Sequence, residues 1–342
     1  MKHQVIHVFN GFLSPYGGSE LEALALADQL REQGEVKLWA TSTRCSVPLC
    51  KQHGIERITL AHASRRRVGT GPGTFSEADT FVFVGAHWRN KLWPFVVPRP
   101  RRLIYVFNTF HPKILAMTSQ HPALLRWPET EYVFISDFQK TLLGMPGVVH
   151  PSPIDIDCFT PAKRTANARP VIGRLSRDSL AKHDQEDLAL YREWTEAGAR
   201  VKLQGATCLA DQTGAGAHLE LTPEGAMASA DYLRSLDVFY YRTGSHVETF
   251  GRVVFEAMAC ALPVVCHRRG GYADSIRHNE NGFLFDTAEE ARQMMRQLLQ
   301  QPALRARIGA NARRTVEELY SRSALACRSQ FYHGHAMAHE TD

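Results

Sequence analysis

The chain has 342 residues, 44% of them hydrophobic and 22% charged, and its formal net charge at pH 7 is +5. This composition is typical of a globular protein and excludes a disordered or low-complexity chain. The length suits two domains of ordinary size. Because the apolar runs are shorter than a membrane span and the N-terminal one is too brief for a secretion signal, we expect a cytoplasmic protein.

The positions of the basic residues and cysteines indicate which membrane, nucleic-acid or zinc interactions to expect. Arginines cluster at residues 65–67 and 99–102, the second cluster after an aromatic and basic stretch at residues 88–95. Such a mixture suits an anionic lipid surface, so peripheral contact with the inner membrane face stays open beside the commoner alternative of solvated loops. Neither cluster lies in a nucleic-acid-binding module, so we expect no nucleic acid partner. The seven cysteines lack a C-x-x-C pair, which predicts reduced thiols and no structural zinc.

The first half of the chain alternates predicted strands with helices and loops. Strands are predicted at residues 5–9, 36–40, 80–84, 103–107 and 132–135, and a helix at 19–33, which favours a parallel sheet. Gly17 and Gly18 follow the first strand, where glycines allow the backbone to approach a phosphate or a sugar. His111 follows the strand at 103–107 and is a candidate on the acceptor side, although a single histidine is more often structural.

A second alternating series begins at residue 170. Strands are predicted at residues 171–173, 201–204, 218–221, 238–241, 263–266 and 283–285, and helices at 184–197, 224–236, 250–261 and 288–300. Prolines and small polar residues between 151 and 168 indicate the connection between two open α/β domains. Open parallel sheets bind ligands at the carboxyl ends of their strands, so a ligand is expected in the cleft between the domains.

The most informative segment runs from residue 244 to residue 271. Within the predicted helix, every side chain from 253 to 261 is apolar except that of Glu256. Burying an unpaired carboxylate costs several kcal/mol or more, so Glu256 must face a polar cavity, a cation or a ligand. The alternative is structural: Glu256 pairs with a neighbouring arginine, and Glu248 is a solvated loop residue.

The residues around the start of this helix favour a ligand. Thr249, Phe250, Gly251 and Arg252 place backbone N–H groups at a helix N-terminus, which attracts phosphate. A carboxylate in the first turns, such as Glu256, can accept two hydrogen bonds from the ribose diol of a nucleotide. Glu248, just before the turn, can do the same for a hexose. Together these groups suit a nucleotide diphosphate sugar.

This segment resembles a known family. Glu248, Glu256, the run AMACALPVV at residues 257–265 and the glycine pair 270–271 resemble the donor motif of the retaining family-4 glycosyltransferases, within glycosyl transferases group 1. The resemblance implies an α/β protein of GT-B fold, with two Rossmann-like doubly wound domains facing across a cleft. The implied domains are an acceptor-side domain at residues 1–160, a nucleotide-sugar domain at 161–315, and a C-terminal helix at 316–342 that crosses back to the first domain.

The resemblance also implies an activity and a set of residues. The enzyme would move a sugar, with retention of configuration and without a metal or other cofactor, from a nucleotide diphosphate sugar to a hydroxyl of a saccharide, lipid-linked or small-molecule acceptor. Glu248 would hold the hexose, Glu256 the ribose, and Arg174 with Lys182 the diphosphate. Arg177 is an alternative to Arg174, because the spacing between Arg174 and Lys182 is loose for the family.

Other functions stay open beside this one. A nucleotide-sugar isomerase or epimerase, or a non-catalytic nucleotide-sugar-binding protein, would present a similar site. A nicotinamide dehydrogenase is disfavoured, because the loop at residues 16–20 lacks the G-x-G-x-x-G pattern. Four basic residues near the donor motif, Arg242, His246, Arg268 and Arg269, raise the hypothesis of an acidic donor sugar. The nucleotide base, the sugar, the acceptor and the oligomeric state are not predicted.

Overall fold

The chain forms two compact units. The computed structural model describes residues 4–15, 17–58, 75–85, 99–110, 128–162, 169–213 and 219–334. One unit consists of residues 1–153 and 322–342, and the other of residues 154–321. The first division precedes the predicted boundary at residue 160, and the second follows the one predicted at residue 315.

The first unit is built on a seven-stranded parallel sheet in the order β3-β2-β1-β4-β5-β6-β7. Its strands are β1 Val5–Asn10, β2 Glu35–Ala40, β3 Glu56–Arg57, β4 Thr80–Val84, β5 Arg102–Phe107, β6 Thr130–Phe134 and β7 Val148–Val149. Its described helices are α1 Gly18–Arg31, α2 Val47–His53, α3 Asp137–Leu143 and, from the end of the chain, α10 Arg322–His333. Aromatic side chains of β1, β4 and β5, among them Phe9, Phe83 and Phe107, pack into one buried cluster. Their burial explains why these strands are mostly apolar.

The C-terminal helix α10 packs on the first unit. The Gln29 side chain donates a 2.9 Å hydrogen bond to the backbone oxygen of Leu325, and Arg102 donates to the backbone oxygens of Phe331 and Tyr332. The prediction of one continuous final helix is wrong, because the preceding helix ends at Leu319 and α10 begins at Arg322. The break separates a helix of the second unit from a helix of the first.

The second unit is built on a six-stranded parallel sheet in the order β10-β9-β8-β11-β12-β13. Its strands are β8 Val171–Leu175, β9 Arg200–Gln204, β10 Leu219–Thr222, β11 Val238–Tyr241, β12 Val264–His267 and β13 Phe283–Phe285. Its described helices are α4 Asp187–Glu196, α5 Ala210–Thr213, α6 Ser229–Arg234, α7 Arg252–Ala259, α8 Ala288–Gln300 and α9 Pro302–Leu319. In both sheets the chain order reverses beside the first strand, which is the topology of Rossmann-like doubly wound folds. The predicted α/β class with two Rossmann-like units is confirmed.

Within the described ranges, no helix combines the length and the apolar character needed to cross a bilayer. The basic and aromatic stretch at residues 88–95 and the arginines at 65–67 lie outside the described residues. Arg102, at the end of the second basic run, is paired with Glu131 at 2.6 Å. Peripheral membrane contact therefore stays a prediction.

Candidate functional site

The predicted donor residues of the second unit gather at the carboxyl edge of its sheet. Arg174 lies near the end of β8, and Lys182 ends a short 3-10 turn that follows it. Glu248 follows β11, and Glu256 lies in α7. Because all the strands of this sheet are parallel, their carboxyl ends share one edge, which is the edge that binds ligands in open α/β sheets.

Gly251 sets the turn that starts α7. Its φ of 88° lies in the left-handed region, and a Cβ at this position would come within 2.5 Å of the Tyr272 ring. The helix therefore begins at Arg252 rather than at residue 250 as predicted. In the part of the chain that the structure describes, the amides of Phe250 and Gly251 donate no hydrogen bond. These donors at the positive end of the helix dipole suit a phosphate group.

Thr249 and Phe250 are buried beside this turn, with exposed fractions of 9% and 3%. The Phe250 ring stacks on Phe255, with ring centroids 4.3 Å apart. The ring contact fixes the Phe250 side chain in the core of the unit. Only the backbone of Phe250 is therefore left to serve the site.

Glu248 is held by several donors that meet at one of its oxygens. Lys182 Nζ lies 2.7 Å and Tyr241 Oη 2.8 Å from Glu248 Oε2, and His246 Nε2 lies 3.8 Å from the same atom. Burial acts to raise the pKa of Glu248, but the nearby His246 imidazole and the hydrogen-bonded ammonium of Lys182 hold it well below its usual range. Glu248 is therefore ionised at neutral pH. Among the described residues, no side chain donates to its other oxygen, Oε1.

Glu256 has the opposite environment. Its exposed fraction is 8%, and no hydrogen bond reaches its carboxylate from any described residue. The adjacent cation, Arg252, lies 3.9 Å away from Nε to Oε1, which is too long for a hydrogen bond. Burial raises the pKa of Glu256, against a smaller opposing effect of Arg252. The arginine of the structural alternative is therefore present, as a loose ion pair without a hydrogen bond, and the carboxylate still has acceptor positions available.

Arg174 is placed differently from what the resemblance implies. Its side chain is completely buried, its guanidinium donates to the backbone oxygens of Arg242 and Lys182, and it lies 4.8 Å from the centroid of the Tyr241 ring. These contacts position the loops that carry the site. A direct contact of Arg174 with a diphosphate would require those bonds to break, so its assignment as a donor ligand stays a prediction.

Lys182 and Arg177 are the other cations of the diphosphate prediction. Burial lowers the pKa of Lys182, while the nearby Glu248 raises it. Its side chain retains 9% exposure. Arg177 is exposed in the loop after β8, close enough to lower the pKa of Lys182 further. Arg177 and Lys182 are therefore more accessible than Arg174.

The hypothesis of an acidic donor sugar loses most of its support. Arg242 is buried and paired with Asp184 and with Glu186, the latter at 2.7 Å. Arg268 lies 3.0 Å from Asp286. His246 is directed to Glu248. Most of the positive charge counted in the sequence is thus already neutralised within the fold.

In the first unit, the side chain of Glu20 fills the space beside the predicted glycine loop at Gly17. A Cβ at Gly17 would come within 2.0 Å of Glu20 Oε2, and the other carboxylate oxygen accepts a hydrogen bond from the Leu13 amide at 3.1 Å. Gly18 is the first residue of α1, with open space around it. A ligand role for Gly17 and Gly18 stays a prediction. His111 lies outside the described residues.

The described residues contain no group of three or more His, Cys, Asp or Glu side chains that could hold a metal ion. Asp155 and Asp157 form an Asp-x-Asp pattern that can bind a divalent ion, but the Asp155 carboxylate accepts hydrogen bonds from the amides of Asp157 and Cys158, as in a structural turn. Independence of a metal stays a prediction.

Two site residues were not predicted from the sequence. Tyr241 contacts both Glu248 and Arg174, and Tyr272 packs against Gly251 and donates to the backbone oxygen of His267 at 2.8 Å. In the sequence, Tyr241 looks like an ordinary core residue of an apolar strand. Its place as the last residue before the loop of the donor motif was the signal that could have identified it.

The family model of glycosyl transferases group 1 matches residues 197–315. N-acetyl-alpha-D-glucosaminyl L-malate synthase of Bacillus anthracis is 39% identical over 79 residues, which are 22% of this chain and 20% of that protein. D-inositol 3-phosphate glycosyltransferase of Rhodococcus opacus (strain B4) is 33% identical over 99 residues, 28% of this chain and 22% of that protein. The matched segments thus span well under two thirds of these relatives.

Solved structures resemble the chain over nearly its whole length. The complex of Anabaena Alr3699/HepE with UDP-glucose has a TM-score of 0.75 and 17% identity, and the match covers 97% of this chain and 100% of that one. WaaG, a glycosyltransferase involved in lipopolysaccharide biosynthesis, has a TM-score of 0.65 and 14% identity, with coverage of 96% and 100%. The chain therefore has the GT-B fold, and its residues 197–315 are similar to the glycosyl transferases group 1 family.

Proposed function

We propose that the protein is a retaining glycosyltransferase that takes a sugar from a nucleotide diphosphate sugar. The observation that carries the proposal is the carboxylate of Glu256, which is nine-tenths buried and has no hydrogen-bond donor among the described residues. Burying such a group is unfavourable unless something pairs with it. A ribose diol supplies two donors of suitable geometry, and their hydrogen bonds would satisfy the carboxylate.

The remaining groups fit the other parts of the donor. The amides of Phe250 and Gly251 lie at the start of α7, where they can donate hydrogen bonds to a phosphate oxygen. Lys182 supplies a nearby cation. Glu248 keeps Oε2 for Lys182 and Tyr241, which leaves Oε1 to accept a hydrogen bond from a sugar hydroxyl. Because these groups are fixed before the ligand arrives, binding costs them little reorganisation.

In the proposed reaction, the bond between the anomeric carbon and the diphosphate oxygen breaks while the acceptor hydroxyl attacks from the same face. The leaving phosphate oxygen takes the proton of that hydroxyl. Lys182, the α7 amides and an accessible guanidinium such as that of Arg177 stabilise the negative charge that develops on the diphosphate. Preorganised cations and amides of this kind make a metal ion unnecessary.

Uridine diphosphate is the first nucleotide to test. The neighbour from Anabaena is seen with UDP-glucose, and a related structure of it holds UDP and glucose. The saccharide in that structure also supports a saccharide as the acceptor. We extend both to this chain as part of the proposal.

Calorimetric titration with UDP, GDP, ADP and dTDP tests the donor site. Substituting Glu256→Ala should weaken binding of the preferred nucleotide by about 1–3 kcal/mol, or roughly fivefold to 150-fold, because charge-assisted hydrogen bonds to the ribose are lost. Glu318→Ala removes an exposed carboxylate of the same unit and serves as the matched control. An affinity unchanged by Glu256→Ala would remove the basis of the proposal.

Product analysis by NMR separates the proposed transfer from its alternatives. A transferase converts the nucleotide sugar only when an acceptor is present, and the anomeric coupling of the product shows retention. An isomerase or epimerase changes the nucleotide sugar without an acceptor, and a binding protein leaves it unchanged. Activity that survives an excess of chelator would support a mechanism without a metal.

A further inference from the structure

A cavity of about 520 Å³ opens at the amino edge of the second sheet, on the side opposite to Glu248 and Glu256. It is lined by the segment that leads into β8, by the end of α4 with the turn into β9, and by the last turns of α8. Its volume lies in the range of about 300–1,000 Å³ that is common for small-molecule pockets. No residue of the donor site lines it, so it is a separate feature of the unit.

Trp194 presents an unused hydrogen-bond donor to this cavity. The side chain is 5% exposed, and its ring packs against Tyr240 with centroids 5.0 Å apart. The indole Nε1 donates no hydrogen bond to any described residue. The atom is not completely enclosed by protein. A largely buried indole usually has a partner for this N–H group. Trp194 lines the cavity, so its N–H group lies in a side chain of this wall.

Arg296 supplies an unpaired charge in the same wall. Its side chain is exposed on α8 and makes no ion pair or hydrogen bond with any described residue. Arg292, one turn earlier, is by contrast held by both oxygens of Glu193 at 2.7 and 3.0 Å. Among the described residues that line the cavity, Glu193 is the acidic one, and it is already paired with Arg292. The cavity therefore has an excess of positive charge.

Several backbone acceptors at this edge are already used within the fold. The ends of α4 and α8 both face this edge, but the last carbonyls of α4 accept hydrogen bonds from the amides of Ala197 and Ala199. The carbonyls of Leu298 and Leu299 accept from Arg305. The wall thus presents the Arg296 guanidinium, the Trp194 indole and the Gln300 amide, beside apolar surface from Pro170 and Leu299.

We propose that this cavity is a second ligand site, which binds a small organic anion such as a carboxylate or a phosphate ester with an apolar body. The anionic group contacts the guanidinium of Arg296 and the indole N–H of Trp194, and the apolar body lies against Pro170 and Leu299. A guanidinium and an indole N–H are both suited to an anionic oxygen, and neither donates a hydrogen bond to a residue that the structure describes.

The test uses a pair of fluorescent probes that differ in charge. Anilinonaphthalene sulfonate is an organic anion of suitable size, and N-phenylnaphthylamine is its neutral counterpart. We expect the sulfonate to bind with a stoichiometry of one per chain, both with and without an excess of UDP. Displacement of the sulfonate by UDP would assign it to the donor site and overturn the proposal.

Two variants probe the cavity directly. Arg296→Glu reverses an exposed charge and should weaken sulfonate binding by about tenfold or more, while binding of the neutral probe changes little. Ala197→Trp fills the cavity and should weaken both probes. Arg314→Glu, which reverses an exposed charge on α9, is the matched control. Circular dichroism verifies that each variant is folded.

Sulfonate affinity that resists both cavity variants, or that falls equally in the Arg314→Glu control, would contradict the proposal. The variants report on the cavity even if no nucleotide binds at the other edge. Failure of this test is therefore distinguishable from failure of the proposed function.

Discussion

Two carboxylates flank the Gly251 turn, and their surroundings differ in almost every respect. Glu248 meets Lys182, Tyr241 and His246 at one oxygen, whereas Glu256 has a single cation at 3.9 Å and no hydrogen bond from the described residues. The pKa of Glu248 is lowered and that of Glu256 is raised. The fold therefore stabilises the first charge and tolerates the second.

The difference shows what each acid contributes to the unit. Glu248 is part of the folded structure, because it neutralises Lys182, which is 7% exposed. We expect Glu256 to weaken the unliganded fold, because burial raises its pKa, and the proposed nucleotide would pair with it. Binding sites commonly hold groups that are unfavourable for stability, because the ligand and not the fold satisfies them.

The largest expected effect comes from breaking the Glu248 contact. Glu248→Gln leaves the Lys182 ammonium buried without a counter-charge and should lower the free energy of unfolding by about 3–5 kcal/mol. Urea denaturation at neutral pH measures it. Because the folded pKa of Glu248 is depressed, its contribution is present above the unfolded pKa and disappears as the pH falls through the folded pKa.

The double variant Lys182→Met with Glu248→Gln is the control for this result. It removes both charges, so a substantial part of the lost stability should return. If Glu248→Gln alone unfolds like the wild type, the pair contributes nothing to the fold, and the contrast with Glu256 fails.

Much of the fold was predictable because its signals are local. Strands β4, β11 and β13 have the predicted bounds, since buried parallel strands are short, continuous apolar runs. The two-residue strands β3 and β7 at the edge of the sheet were missed, because two residues carry no periodicity. The break between α9 and α10 was missed because neither proline nor glycine marks it.

The part of the candidate site that could be predicted is the part marked by an unusual residue. Glu256 stood out as a charge in an apolar helix, and the structure leaves its carboxylate without a partner among the described residues. The orientation of Arg174 was not predictable, because an arginine near a strand end can turn outward to a ligand or inward to backbone oxygens. Nor could the sequence show that Asp184 and Glu186 neutralise Arg242, since that depends on how separate loops meet.

A smaller effect is expected at the turn between the two acids. Gly251→Ala forces an alanine to a φ of 88° and places its Cβ near the Tyr272 ring, so it should cost about 1–3 kcal/mol of stability. Gly18→Ala is the matched control, because Gly18 starts a helix in open space and alanine there should stabilise by about 0.4–1 kcal/mol. Thermal unfolding compares the two. Equal effects at both positions would show that the Gly251 turn imposes no special backbone requirement.

The smallest and most discriminating effect concerns Glu256 itself. Glu256→Gln removes a charge that the fold does not satisfy, so it should raise the stability of the unliganded protein at neutral pH by about 1 kcal/mol, the ordinary size of a single substitution. The folded pKa of Glu256 lies above its unfolded value, so the cost of ionisation grows as the pH rises from the unfolded pKa to the folded one. The gain should therefore shrink as the pH falls below the folded pKa, because the wild-type carboxyl becomes protonated and resembles the amide. Thermal unfolding without nucleotide measures it, with the exposed Glu318→Gln as the control. If Glu256→Gln instead lowers stability at pH 7, the carboxylate already has a partner in the fold and is not reserved for a ligand.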